Sequence, residues 1–282
     1  MKIATLINYK DRPSELSHLL LSLRNQTIKT DIFILDDASG TPIQTYHFMN
    51  CILTRLRLEG FKIYYQKSAF DLGVSRARQE IVNWAMKEDY NYFVRVDDDV
   101  IIENDFIERL LKVIEQGYDI SSGVTPQMAS PIFIRDPINL KGIGNRVILD
   151  SEGNYIYNGD DFGMQYTDSI IVKAHHFRSS AMMTRQVLEK IKYWPTKLTK
   201  HGFREEQIFS YKALMEGFKI GVDTGAIAWH QQTPSGGERF AESNELIKTN
   251  EQVLKEFTKE NKDKLIECFK IEPYTIKNSE GY

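Results

Sequence analysis

Cysteine is nearly absent: Cys51 and Cys268 are the only two in 282 residues, far apart and in no metal-ligand spacing. That argues against a disulfide framework and against a thiolate zinc site, and it suits a reducing, cytoplasmic compartment. Long apolar runs are missing as well. The opening stretch from Met1 to Lys10 has too short an apolar core for a secretory signal. Nothing later approaches the roughly 20 residues needed to cross a bilayer, so no transmembrane segment is expected. Neither sign of charge dominates, with 36 Lys plus Arg against 39 Asp plus Glu. Without a long basic tract, nonspecific nucleic-acid binding is not expected. No internal repeat or low-complexity tract is visible.

What remains is a chain long enough to bury a sizeable core in one large α/β domain or two small ones. Lys2 to Ile7 reads as a first strand. Asp11-Arg12-Pro13 then offers a capping carboxylate and a proline suited to a first helical turn, and Leu16, Leu19, Leu20 and Leu23 recur at helical spacing. Ile32 to Leu35 is a buried strand ending at Asp36-Asp37, and Ile63-Tyr64-Tyr65 is the next. Val74, Ala77, Ile81, Trp84 and Ala85 form a helical face, followed by the strand Tyr92 to Val96. This alternation predicts a mostly parallel sheet covered by helices, with ligands beyond the carboxyl ends of the strands.

Further on, Ile107 to Ile114 forms a helix ended by Gly117, and Tyr118 to Ser121 returns to the sheet. From about Pro126 to Thr167 the pattern dissolves, too long for a plain connector, and reads as a functional insertion or flap. Ile170 to Ala174 and Ala181 to Thr184 suit strands, Gln186 to Ile191 and Gln207 to Glu216 helices, and Ile227 to Trp229 a strand before His230. The chain beyond Glu238 is helical and charged, with Leu246, Val253, Leu254 and Phe257 as a buried stripe.

Asp97, Asp98 and Asp99 follow a strand directly, so three carboxylates meet where a sheet edge opens to solvent. They repel one another unless a hard divalent cation shares their charge, and such an ion could bridge the phosphates of a nucleotide-sugar. The plain alternative is an acidic turn capping the next helix. Asp36-Asp37 ends an earlier strand, and a carboxylate there could accept hydrogen bonds from a base or ribose; Arg76 and Arg78 could bring positive charge to a diphosphate. Each has its own plain reading, a capping turn and a solvated helix face.

Taken together, Tyr9-Lys10-Asp11-Arg12-Pro13, Leu35-Asp36-Asp37-Ala38-Ser39, Leu72-Gly73-Val74-Ser75-Arg76-Ala77-Arg78 and Val96-Asp97-Asp98-Asp99 resemble the family-2 glycosyltransferases with the GT-A nucleotide-sugar-binding fold, in order and in spacing. The resemblance implies that Asp37 touches a uracil base, that Asp99 binds the metal, and that Asp97 lies near the donor sugar or ribose. Asn8, Tyr9, Arg78 and Asp98 complete the expected donor contacts. Gly202-Phe203-Arg204-Glu205-Glu206-Gln207 resembles the family's Glu-Asp motif opening a helix, with Glu in place of the second acid. The expected base is Glu206, with Glu205 as the other candidate. His230 is the candidate for an additional metal ligand, against a plain histidine at a strand end.

The resemblance covers roughly residues 2 to 232 and implies a GT-A domain over 1–232, a nucleotide-binding half to about 122, an acceptor half after it, and a helical extension over 233–282. The implied activity is inverting transfer of a sugar from a nucleotide-sugar, a UDP-sugar, to a hydroxyl-bearing acceptor of unknown class, with manganese or magnesium as cofactor. The rival readings are a nucleotidyltransferase of similar fold and a non-catalytic nucleotide-sugar or carbohydrate-binding module. The first needs a basic, glycine-rich loop that residues 7 to 13 lack.

Overall fold

A computed structural model of the chain describes residues 1–128, 147–149, 155–157, 171–177, 179–194, 197–233, 236 and 243–269. Apart from α2, its first half follows the predicted alternation: β1 (Ile3–Tyr9), α1 (Pro13–Arg24), β2 (Asp31–Asp36), α2 (His47–Leu58), β3 (Ile63–Lys67), α3 (Val74–Ala85) and β4 (Tyr92–Asp97). A tight turn leads to β5 (Val100–Ile102), then α4 (Phe106–Glu115) and β6 (Ile120–Val124). β7 (Val147–Leu149) and β8 (Tyr155–Tyr157) form a separate antiparallel pair. They fall within the expected insertion, the rest of which lies almost wholly outside the described residues. β9 (Ile171–Ala174), β10 (Ala181–Thr184), α5 (Arg185–Lys190), α6 (Glu205–Met215), β11 (Ile220–His230), α7 (Ser243–Glu260) and α8 (Lys262–Phe269) follow among the described residues.

Among the described residues, the main sheet runs β3-β2-β1-β4-β10-β6-β11-β5, with β9 also paired to β11. The first four strands are mutually parallel, whereas β10 runs antiparallel to both β4 and β6. The sheet is therefore mixed, the result of inserting a returning strand between the two parallel halves. Side chains alternate across it with the period of two that a strand imposes. Ala4, Leu6, Phe33, Leu35, Phe93 and Met183 share one core with α3, α5 and α6; Ile7, Ile32, Ile34, Val94, Val96 and Met182 share the other with α1, α2 and α4. Leu254 and Leu265 bring α7 and α8 onto the first of these cores. Leu246, predicted as part of that stripe, stays partly exposed.

Two local expectations change. Asp11 does not cap α1: it adopts a positive φ of 51° and its carboxylate accepts the Gly40 N–H at 2.8 Å. The helix instead starts on Pro13, whose missing N–H costs nothing in the first turn. Helix α2 had no counterpart in the sequence reading. Its buried face is only Met49, Leu53 and Leu56, set among charged and polar residues, so the apolar periodicity is thin.

Candidate functional site

The parallel strands β2, β1 and β4 end side by side, and their carboxyl ends carry the candidate residues. In the β1–β4 ladder Asn8 sits opposite Asp97, and in the β1–β2 ladder Tyr9 sits opposite Asp36. Asp36 serves the turn itself, accepting the Ser39 N–H at 2.8 Å and the Tyr65 hydroxyl at 2.6 Å. Asp37 points elsewhere. Its carboxylate accepts the N–H groups of Leu72 at 2.7 Å and Gly73 at 3.0 Å, so it fixes the loop that opens α3. Burial pushes this carboxyl above its ordinary value, against the pull of those two donors.

That loop is also held from outside. Lys200 bonds Asp71, which Lys10 grips from the other side at 3.0 Å, and the Val74 N–H donates to the Lys200 carbonyl. Gly73 has φ 74°, and a Cβ built there would lie 2.7 Å from the Lys200 Cα. Both the backbone conformation and the space thus call for glycine. Gly73→Ala is expected to cost about 1–3 kcal/mol of stability. Urea unfolding of the variant checks this, and an unchanged midpoint would contradict it.

Asp97 to Asp99 make the turn between β4 and β5. Because β5 pairs antiparallel with the end of β11, His230 lies opposite Val100, and its Nε2 stands 3.1 Å from Asp99 Oδ1. One ligand atom from each of Asp97, Asp99 and His230 falls within 4.8 Å of the others. Two carboxylates and one imidazole make a mixed oxygen and nitrogen donor set that could hold a divalent cation. Asp98 faces away from this group: Arg12 Nη1 lies 3.0 Å from Asp98 Oδ1 and 3.1 Å from Asp99 Oδ2, and the Lys10 N–H donates to Asp98 at 3.2 Å. Burial pushes the Asp98 carboxyl up to about 7, partly offset by Arg12.

Behind Asp97 lies a second charged cluster. Helix α6 begins at Glu205, and its preceding residue, Arg204, takes a left-handed φ of 77°. Few non-glycine residues do so; here an ion pair from Arg204 to Glu251 on α7 holds the conformation. Glu205 and Glu206 meet Arg78 of α3 and Arg95 of β4. Arg78 joins Asp97 at 2.8 Å and Glu206 at 3.3 Å, and it also pairs with Glu205. Arg95 reaches Glu205 at 3.1 Å and Glu206 at 2.7 Å. The Glu205 side chain is 2% exposed and that of Glu206 is 24% exposed, so only the second glutamate reaches solvent. Burial alone would raise the Glu206 carboxyl, but Arg95 and Arg78 outweigh it and hold the group down at about 2. A small cavity, with space for about one water, lies beside the guanidiniums and is lined by Asn8, Arg78, Arg95 and Tyr193.

Of the residues singled out in the sequence, Asn8, Arg78, Asp97, Asp99, Glu205, Glu206 and His230 converge here, with Asp37 at the neighbouring strand end. Tyr9 does not join them. Its side chain is buried in the opposite core, and its backbone carbonyl accepts the Asp37 N–H. Arg76 turns outward, its guanidinium lying over the rings of Phe70 and Trp194. Sequence reasoning gave no role to Arg12 or Arg95. The signal for Arg95 was present as a charge in the middle of the apolar strand Phe93-Val94-Arg95-Val96.

A family model described as "Glycosyl transferase family 2" matches residues 6–191, a span that ends before Glu205, Glu206 and His230. Comparison with curated proteins by sequence returns no match. Solved structures with this fold include S. aureus TarS, at 16% identity and a TM-score of 0.54 over 91% of this chain and 43% of that one. The S. aureus TarS 1-349 structure gives 17% identity and a TM-score of 0.56, covering 95% of this chain and 70% of that one. GalNAc-T7, solved with UDP, GalNAc and Mn2+, gives 13% identity and a TM-score of 0.61, covering 90% of this chain and 48% of that one. The chain thus spans less than half the length of TarS and of GalNAc-T7. At these identities the likeness is one of fold, the GT-A architecture. Among the described residues, no helix is long and apolar enough to cross a membrane.

Proposed function

Since the chain belongs to glycosyl transferase family 2 and is a glycosyltransferase, we propose that it moves a sugar from a UDP-sugar to an acceptor hydroxyl with inversion, and that it needs a divalent metal to do so. The observation that carries this reading is the single guanidinium of Arg78, which touches Asp97 of the ligand group with one nitrogen and Glu206 with the other. A donor diphosphate at the acidic turn and a base at the start of α6 would then lie on either side of one side chain.

Asp97, Asp99 and His230 would hold the metal, manganese or magnesium. When bound, it would supply Lewis-acid neutralisation of the departing diphosphate. The chain's own residues do the rest. Asp37, which keeps lone pairs beyond those used by Leu72 and Gly73, accepts a hydrogen bond from the uracil ring. Glu206 takes the proton of the acceptor hydroxyl as the acceptor oxygen bonds the anomeric carbon and the bond from that carbon to the phosphate oxygen breaks. The hydroxyl becomes more acidic as its oxygen gives up electrons, so a carboxylate of low basicity suffices late in the step.

Inversion is supported by the placement of the two glutamates that open α6. Glu205 is locked beneath two guanidiniums, leaving one glutamate open to solvent, and a single displacement by the acceptor turns the anomeric centre over. A thermal-shift panel of nucleoside diphosphates and nucleotide-sugars, with and without manganese, tests the donor assignment. UDP with manganese is expected to raise stability by about 2.7 kcal/mol at a hundredfold excess over its dissociation constant. A panel in which no nucleotide moves the melt would overturn the donor reading.

A further inference from the structure

We propose that Arg95 is a positioning residue for sugar transfer: it holds Glu206 by Oε1 so that Oε2 faces the acceptor, with Glu205 as its buried counter-ion. The inference rests on Glu206 being the base.

The location of Arg95 is the first reason. Strand β4 lies between β1 and β10, and Phe93, Arg95 and Asp97 project from the same face of it by the period of two. That face packs on Phe177, Tyr193 and Phe209, and the Arg95 guanidinium lies over the rings of Phe177 and Tyr193. A strand that needed only to fold would carry another apolar side chain there, because burying a charged pair is seldom more favourable than good apolar packing. Stability does not explain an arginine at this point in the core.

The bonds it makes are the second reason. Nη1 reaches Glu205 and Nη2 reaches Glu206, so one planar fork spans two successive glutamates of the first helical turn. Arg78 and Arg95 both bond Oε1 of Glu206, at 3.3 Å and 2.7 Å. A glutamate at a helix start has three side-chain torsions and swings freely unless something fixes it. Two guanidiniums on one oxygen fix it and leave the other as the proton acceptor. Arg78 already divides its guanidinium between Glu206 and Asp97, which it bonds at 2.8 Å, whereas Arg95, under the aromatic rings, stands 3.8 Å from Asp97 and keeps its short bond for Glu206. Glu205 neutralises the charge left over on the fork and keeps it in place.

Arg95→Met alone leaves Glu205 buried without a full partner and could fail to fold, so the test pairs it with Arg95→Met/Glu205→Gln, in which both buried charges go together. Turnover is read as UDP released from whichever UDP-sugar the wild-type chain hydrolyses fastest, with manganese, and UDP binding is measured separately. The double variant is expected to melt near the wild-type temperature and to keep its UDP affinity and donor KM within about twofold. Its kcat should fall about 10–100-fold, the scale that misplacement of a reacting group by about an ångström produces. Arg95→Lys keeps the charge but cannot fork across two carboxylates, and it should recover only part of kcat. A folded double variant with wild-type kcat overturns the proposal, as does a loss that falls equally on UDP binding and on kcat. Glu206→Gln distinguishes the two levels: if it keeps full turnover the base assignment fails, and if it is inactive while the double variant is fully active, only the role of Arg95 fails.

Discussion

Glu206→Gln is expected to lower sugar transfer about 10²–10⁴-fold, the usual contribution of a positioned general base, while UDP and manganese bind as before. The substitution preserves shape and leaves an amide oxygen for Arg95 and Arg78, so the cluster need not collapse. Steady-state kinetics with UDP binding measured alongside gives the answer, and normal turnover sinks the assignment. A pH effect accompanies it. The Glu206 carboxyl is lowered in the folded chain, from an ordinary 4.5 to about 2, chiefly because Arg95 and Arg78 overcome its burial. A depressed carboxyl adds stability that is fully present above its unfolded value and is lost as pH falls through the folded one. Wild-type protein should therefore lose stability between about pH 4.5 and pH 2 in part through this group. The glutamine variant should show less of that acid sensitivity in melting curves.

Asp99→Ala is expected to abolish metal-dependent turnover, by about 10² or more given the several kcal/mol that a Lewis acid supplies at a departing diphosphate. The side chain removed is the one shared by His230 and Arg12. Arg12 retains Asp98 at 3.0 Å, so the turn keeps its main ion pair and the variant should remain folded. Titrating manganese while following both turnover and the UDP-dependent melting shift separates metal loss from global damage. A variant whose shift still depends on manganese as strongly as wild type would remove Asp99 from the ligand set.

Much of this arrangement was legible because the fold writes itself in short periods. Ile32 to Leu35 and Tyr92 to Val96 announce buried strands, and each hands its acids to the same sheet edge, so the neighbourhood of Asp37 and Asp97 could be inferred before any coordinates. What could not be inferred was pairing at long range. Nothing in the local sequence says that Arg12 would reach Asp98, that Arg95 would fork across Glu205 and Glu206, or that Asp11 would serve Gly40 rather than its own helix. Three-residue β5 was invisible too, since Val100 to Ile102 is too short to show a period, yet its pairing with β11 brings His230 to Asp99.

That pairing also imposes an order of events. Asp99 and His230 are 131 positions apart, and they meet only when Trp229 and His230 settle beside Ile101 and Val100. A nascent chain therefore presents its acidic turn to solvent long before the imidazole has been synthesised, and Arg12, eighty-six positions from Asp98 on the N-terminal side, is the partner already at hand. Closing either loop costs nearly the same entropy, so the precedence of the arginine comes from the order of synthesis. The arginine can thus act as a resident counter-charge from early assembly onward, whereas the group formed by Asp97, Asp99 and His230 is complete only once β11 has paired with β5.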